Sequence, residues 1–263
     1  MGQKMKNAPV YFAIAQARFN PILALDSYAP AIQDSLRRHG FPDAQQSTLN
    51  TFNLTLTSQA GGAQGEVPIS RVTRYNLLNA QKTAGFILDQ GALSYQTADY
   101  DVFETFSDTF LEALEIVHKA VELSYTDRIG FRYLDAVFPK SDESLPKYLN
   151  ECVLGLYGKS DGQLVHSFNE SVFKMHDVNV TSRTVIQDGP LGFPPDLQPH
   201  PLVVSARFQS LKGMHAVLDF DGCVERRETF KIDVIRNRLS MIHDEIAVAF
   251  KATVTGHAME VWA

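Results

Sequence analysis

Length, composition and charge describe an ordinary folded chain. It has 263 residues, with 24 Lys and Arg against 30 Asp and Glu, which gives a formal net charge of −6. A hydrophobic fraction of 44% excludes intrinsic disorder, because disordered chains combine low hydrophobicity with high net charge. Its two cysteines, Cys152 and Cys223, are too few for a disulfide scaffold or a four-cysteine zinc site. We therefore expect reduced thiols, a cytoplasmic protein and, since no apolar run reaches about 18 residues, no membrane span.

The first half of the chain predicts a strand, a helix, four more strands and a long helix. Alternation and a closing proline indicate the first strand, and apolar residues at helical spacing indicate both helices. The predicted strands are 10–19, 49–57, 69–78, 83–89 and 93–97, and the predicted helices are 26–39 and 101–123. A glycine-rich loop at 61–65 separates the second and third strands.

The second half repeats this order of elements. Its predicted strands are 129–139, 165–175, 180–187, 202–210 and 214–220, and its predicted helices are 145–156 and 229–251. Matched landmarks support the repeat, since Pro21 parallels Pro139, Asp89 parallels Asp219, and His118 parallels His243.

These patterns predict an α+β fold built by tandem duplication of a strand-helix-four-strand-helix unit. Each long helix must lay its apolar stripe on an antiparallel sheet, as in TATA-binding-protein-like or helix-grip-like folds. We predict a first repeat over residues 1–125 and a second over residues 126–263, packed as one pseudo-twofold body. Two such units can form one continuous sheet or a cleft, and a cleft between them is a common ligand position.

Four segments carry a resemblance to a known family. They are residues 15–19, 128–135, 217–221 and 241–246. Through them nearly the whole chain resembles a sporadically distributed prokaryotic protein family of about 260 residues whose members have no assigned activity. The resemblance supports the boundaries and a cytoplasmic setting, and it implies no mechanism.

Two arginines in the strand that opens the second half are candidate ligand-binding residues. Arg128 and Arg132 are four residues apart, so an extended chain places both guanidinium groups on one face, where they could hold a phosphate or carboxylate. Arg18 is the nearest equivalent in the first half. Asp135 has the opposite strand parity to Arg132, which argues against a pair between them. We favour a structural pair between Arg132 and an acidic residue across the interface of the halves over ligand binding.

Two further candidates are a helical histidine and a strand-end carboxylate. His243 lies beside apolar residues of the second long helix, and we favour a core-edge histidine bonded to a sheet carbonyl over a catalytic one. Asp219 and Asp221 share one parity and could bind a cation or act as paired carboxylates, but Asp221-Gly222 is also a common turn signal, which we favour. The sequence contains no metal-ligand set and no cofactor-binding loop, so we predict neither a metal nor a cofactor.

The leading functional hypothesis is a non-catalytic binding or regulatory protein. It would recognise a protein partner or a small anionic ligand at the cleft between the repeats. The first alternative is an enzyme acting on a phosphorylated or carboxylated small molecule, with Arg132 as a clamp and His243 or Asp219 as acid or base. The second is a nucleic-acid-binding protein using a sheet face, which the net charge of −6 disfavours. The sequence is compatible with a homodimer, and we expect no membrane partner.

Overall fold

The structure is a computed structural model that describes residues 5–52, 69–197 and 201–263. Within these ranges the chain forms nine strands and five α-helices, which confirms the predicted α+β class. The strands are β1 (Val10–Phe19), β2 (Asp43–Phe52), β3 (Ile69–Leu78), β4 (Ala84–Asp89), β5 (Ala92–Thr97), β6 (Tyr125–Val137), β7 (His166–Met175), β8 (Val178–Pro190) and β9 (Lys212–Thr229). The helices are α1 (Leu25–Arg38), α2 (Phe103–Val121), α3 (Ala206–Gln209), α4 (Ile232–Thr253) and α5 (Gly256–Trp262).

All nine described strands join one antiparallel sheet in the order β2-β3-β4-β5-β1-β6-β9-β8-β7. The first strands of the two halves, β1 and β6, are therefore neighbours near the middle. Five strands of the first half continue to one edge, and four strands of the second half continue to the other. The sheets expected in the two halves thus join into one continuous sheet, and we call the β1–β6 ladder its seam.

One face of the sheet carries the helices and the main hydrophobic core. Because side chains alternate along a strand, Ile129, Phe131 and Tyr133 of β6 all point to this face. The long helices α2 and α4 contact each other and the central strands, and α1 packs beside α2. Their buried stripes include Phe106, Phe110, Leu114, Ile235, Leu239 and Ile242. We call this side of the sheet the helix face and the other side the open face.

Gly222 shows how closely α4 approaches the sheet. A Cβ atom at this position would lie 2.6 Å from Cγ2 of Ile242, a distance that real Cβ contacts do not reach. The turn expected at Asp221-Gly222 is wrong, because β9 continues without interruption to Thr229. The glycine is needed there for helix packing rather than for chain reversal.

The described residues of the connection between β8 and β9 pack on the open face around its central strands. This connection buries Phe208 against Tyr11 and Phe12 of β1 and against Leu134 and Val217, forming a second hydrophobic cluster. The strand predicted over 202–210 is wrong, since this segment contains the short helix α3 and runs outside the sheet. Its alternating apolar residues pack down onto the sheet instead of pairing with a neighbouring strand.

Other boundaries differ from the predicted ones in smaller ways. The second strand spans Asp43–Phe52 rather than 49–57, and residues 53–57 and the loop at 61–65 lie outside the described residues. Two 3-10 turns, Leu145–Lys147 and Glu151–Val153, replace the helix predicted over 145–156. The terminal helix α5 was not predicted. Among the described helices, none has the length and apolar character needed to cross a bilayer.

The buried stripe of α4 allows a stability test. Leu239 is buried in the main core, so we expect Leu239→Ala to lower the free energy of unfolding by about 2–5 kcal/mol through lost transfer energy and a residual cavity. Urea denaturation measures this loss. Val248→Ala on the exposed side of the same helix is the control and should change stability by less than about 0.5 kcal/mol. Equal effects at both positions would contradict the orientation of α4.

Candidate functional site: a cavity at the seam between the halves

The strand β6 separates the candidate residues onto two faces of the sheet. Arg128 and Arg132 point to the open face, as their spacing predicted, and Asp135 points to the helix face. Asp219 pairs with Leu134 of β6 in the β6–β9 ladder and shares the open face with Arg132. The structure therefore groups Arg18, Arg128, Arg132 and Asp219 on the open face, and Asp135 with His243 on the helix face.

Arg132 is a buried structural pair. Its Nε and Nη2 donate to the two carboxylate oxygens of Asp219 at 2.6 and 2.7 Å, and its Nη1 and Nη2 donate to Asp196 at 2.5 and 3.2 Å. The side chain is 8% exposed. The favoured pairing with an acidic residue is observed, but its placement across the halves is wrong, because both carboxylates belong to the second half. All the guanidinium nitrogens are thus engaged.

The other open-face arginines also have carboxylate neighbours. Arg183 on β8 donates to Glu170 at 2.6 Å and to Asp219 at 3.3 Å. Arg128 lies 3.9 Å from Asp221 and 3.7 Å from Glu225, and Arg18 lies 3.1 Å from Asp127. Burial alone lowers the pKa of Arg132, but its hydrogen bonds to Asp219 and Asp196 raise it above the ordinary value. These charges compensate one another, which leaves little positive charge to attract an anion.

Asp219 and Asp221 lie in the middle of β9 and not at a strand end. Asp219 is fully engaged by Arg132 and Arg183, while burial raises the pKa of Asp221 despite the opposing charges of Arg132 and Arg128. Over the part of the chain that the structure describes, no group of three or more His, Cys, Asp or Glu side chains is placed to hold a metal ion. The pair therefore acts in the charge network of the open face.

A cavity of about 220 Å³ opens on the helix face at the seam. Its walls come from the beginning of the chain and α2 in the first half, and from β6, β9 and α4 in the second. The lining residues are Met5, Ala8, Pro9, Val10, Tyr100, Asp101, Val102, Phe103, Glu104, Tyr133, Asp135, Phe220, His243, Ile246, Ala247 and Phe250. Most of this surface is aliphatic or aromatic, with a small set of polar groups.

Three of the polar groups form a hydrogen-bonded chain. The hydroxyl groups of Tyr100 and Tyr133 are 2.7 Å apart, and the Tyr133 hydroxyl lies 3.0 Å from Nδ1 of His243. The ring of Phe103 stacks on the His243 imidazole, with centroids 4.1 Å apart. Burial lowers the pKa of His243, and the Asp244 and Glu104 carboxylates oppose that shift. The histidine is at the edge of the core, as favoured, but its partner is a tyrosine hydroxyl rather than a sheet carbonyl.

Asp135 is the most unusual group in the cavity. It is 3% exposed, and none of the described side chains or amides donates a hydrogen bond to its carboxyl group. Burial, with a smaller contribution from the Asp219 charge, raises its pKa to about 8. A buried carboxyl without a donor is costly to ionise. It is therefore a group that a bound ligand could satisfy.

Apart from His243 and its two tyrosine neighbours, the ionisable side chains described at the cavity are carboxylic acids. Asp101 and Glu104 lie exposed at its mouth and Asp135 lies inside, and none of the described lining residues is a lysine or an arginine. Since His243 is held towards its neutral form, the cavity as a whole favours a positive or neutral guest over a negative one.

Sequence reasoning missed several residues of these two sites. Tyr133 shares its strand parity with Asp135, so the alternation of β6 could have placed both on the helix face. Tyr100 and Glu104 flank the beginning of α2, where polar residues usually indicate only a solvated helix end. Asp196 lies in a loop, and no local pattern connects it to Arg132, which is 64 residues away.

Comparison of this chain with known protein families, with curated proteins and with solved structures finds no match in any of the three. The family resemblance drawn from residues 15–19, 128–135, 217–221 and 241–246 therefore stays an expectation. The case for the candidate site rests on its geometry and chemistry alone.

The geometry of Arg132 predicts a loss of stability in Arg132→Lys. Lysine keeps the charge but lacks the planar fork that reaches both carboxylates, so we expect a loss of about 1–3 kcal/mol in unfolding free energy. Arg18→Lys is the matched control, because Arg18 is largely exposed and its pair with Asp127 should contribute less than about 1 kcal/mol. Urea denaturation of both variants provides the measurement. Unchanged stability in Arg132→Lys would reject the structural role.

The raised pKa of Asp135 predicts a pH-dependent effect of Asp135→Asn. Between its ordinary value of 3.8 and about 8, the folded protein holds a proton that the unfolded chain releases, so ionisable Asp135 makes the fold less stable as pH rises. The asparagine side chain does not ionise, so the variant lacks this loss of stability with rising pH. Its stability relative to the natural chain should increase by up to about 1.4 kcal/mol per pH unit within that window.

Urea unfolding at several pH values between 5 and 8 measures this slope. Asp161→Asn, which removes an exposed carboxylate that does not line the cavity, is the control. A stability difference for Asp135→Asn that does not change with pH would show that the Asp135 carboxyl is ionised in the fold throughout this range.

Proposed function

We propose that this protein is a non-catalytic binding protein that takes a small molecule into the cavity between its two halves. The observation that carries the proposal is the buried Asp135 carboxyl, which lines the cavity and has no described donor. Buried polar groups in folded proteins nearly always have a hydrogen-bond partner. A ligand that donates to Asp135 would supply that partner.

The lining defines the chemical class of the ligand. A protonated amine can donate to Asp135 and to the neutral His243, while Phe103, Phe220 and Phe250 contact an apolar body. The volume of about 220 Å³ is below the range of about 300–1,000 Å³ typical of drug-sized ligands, so the ligand is small. Because the described lining is acidic, we propose a cationic ligand in place of the anionic one expected from the sequence.

Reciprocal contacts support the proposal that the two halves are a duplicated, TATA-binding-protein-like or helix-grip-like pair, divided near residue 125. His243 on α4 stacks on Phe103 at the beginning of α2, and His118 on α2 stacks on Phe230 just before α4, with centroids 4.1 and 4.2 Å apart. Strands β5, β4 and β3 follow β1 in the same way that β9, β8 and β7 follow β6. A pseudo-twofold axis at the seam accounts for both.

The alternatives receive less support from the open face. An enzyme that clamps a phosphate or carboxylate with Arg132 would first have to displace Asp219 and Asp196 from the guanidinium. A nucleic-acid-binding sheet face would need uncompensated positive charge, whereas Arg18, Arg128 and Arg183 each lie near a carboxylate. The cytoplasmic, prokaryotic setting stays part of the proposal, supported by the two free cysteines and by the family resemblance.

Calorimetric titration with phenethylamine tests the proposal. At pH 7 most of the Asp135 carboxyl is protonated, so binding of the ammonium group should release close to one proton per ligand. Titrations in two buffers with different ionisation enthalpies measure that proton release. Asp135→Asn should weaken binding at least about tenfold and abolish the release, because it removes the charge-assisted hydrogen bond.

Two controls separate the site from nonspecific binding. Phenylpropionate has a similar apolar body with a negative head, and we expect no measurable binding of it. Asp161→Asn should bind phenethylamine with unchanged affinity, since its side chain is outside the cavity. Equal binding of both probes, or equal affinity in Asp135→Asn, would reject the proposed ligand class.

A further inference from the structure

The edge strand β7 is unusually open to pairing. Ten consecutive residues, His166–Met175, pair with β8 on one side, and no described strand lies on the other side. The strand contains neither a proline nor a recorded register shift. Natural proteins usually protect such an edge with a proline, a bulge or inward-pointing charges, because its free backbone groups can pair with another chain.

Large apolar side chains are concentrated on this edge. Of the nine exposed large hydrophobic residues among the described ones, four lie on β7 or directly before it, namely Val165, Phe168, Val172 and Phe173. Phe168 is 55% exposed and Val172 is 67% exposed. Both point to the open face, beside Glu170 and Lys174. An exposed apolar strip on a free strand edge is typical of an interaction surface.

The opposite edge of the sheet is different. On β2, the residues whose side chains are described run from Asp43 to Thr48 and contain no large apolar residue. Sheet pairing along these six residues would bury only small and polar groups. The comparison indicates that the β7 surface is a particular property of this edge rather than of edges in general.

We propose that β7 pairs antiparallel with β7 of a second copy of this chain, with Val172 opposite Val172 of the partner subunit. In this register Glu170 lies opposite Lys174 of the partner subunit, and the same pair recurs across the twofold axis. Opposite charges on directly facing residues stabilise a strand pair, and like charges destabilise it. Centring the pairing on Glu170 instead would set two carboxylates against each other.

The partner that fits this edge is a second copy of the chain, because the edge is complementary to itself. A twofold interface must match its own surface, and the order Glu170, Val172, Lys174 at steps of two does so when the strand is reversed. Both helix layers would then lie on the same side of one continuous sheet. The dimer is independent of the cavity, since β7 supplies none of its lining residues.

Sedimentation velocity at about 100 μM protein tests the dimer, because dimer formation depends on concentration. The natural chain should sediment as a dimer. Val172→Lys should be a monomer, since it sets two ammonium groups opposite each other, and Lys174→Glu should also be a monomer, since it sets a carboxylate against Glu170 of the partner subunit. Both side chains are exposed, so thermal unfolding measured on the monomers should show an intact fold.

Val248→Lys changes another exposed valine, on α4, and should remain a dimer. A monomeric natural chain, or a dimer that persists in both β7 variants, would overturn the proposal.

A disulfide experiment tests the register separately. In a Cys152→Ser background, Val172→Cys should form an intermolecular disulfide under mild oxidation, because directly opposite Cβ atoms lie about 4.5–5.5 Å apart. Ser171→Cys should not, because residue 171 faces Phe173 of the partner subunit and the two thiols would be offset diagonally by about 7–8 Å. Efficient crosslinking through position 171 and not through 172 would overturn the register.

Discussion

The antiparallel ladder between β1 and β6 is the interaction on which the rest of the structure depends. It joins the first strand of each half and turns two smaller sheets into one. Once these strands pair, the alternation of side chains fixes which residues meet the helices and which meet the open face. Slipping the register by one residue would exchange the two sets, which would place Arg132 in the main hydrophobic core and Phe131 among the charged groups of the open face. The hydrophobic pattern on β6 therefore also determines where each charged group lies.

The charge network of the open face follows from this constraint. Arg132 is fixed on a nearly buried strand position, and a buried charge without partners is strongly unfavourable. Asp219 on the neighbouring strand and Asp196 from the covering connection satisfy it on separate sides. The same contacts hold the β8–β9 connection over the second hydrophobic cluster. Arg132, a candidate ligand-binding residue in the sequence, thus anchors the β8–β9 connection to the sheet in the structure.

Helices and strands could be predicted from the sequence where burial on one side is the only cause of their apolar pattern. The helical stripes of α2 and α4 and the alternation of β1 and β6 arise directly from burial on one side. The segment 202–210 was mispredicted because packing onto the open face gives the same alternation as a strand. Gly222 was taken for a turn because glycine serves both chain reversal and close helix approach. The opposite faces of Arg132 and Asp135 were predictable from parity, whereas the contacts to Asp196 and Tyr100 depend on distant segments.

The two faces are not electrostatically independent, because one strand pair supplies both. Asp219 lies on the open face, yet its charge contributes to the raised pKa of Asp135 on the helix face. The hydrogen-bonded chain of Tyr100, Tyr133 and His243 lies on the same face as Asp135, but none of its described groups donates to that carboxyl. The seam therefore combines paired charges on the open face with a buried acid on the helix face that has no described donor, and a ligand could supply that donor.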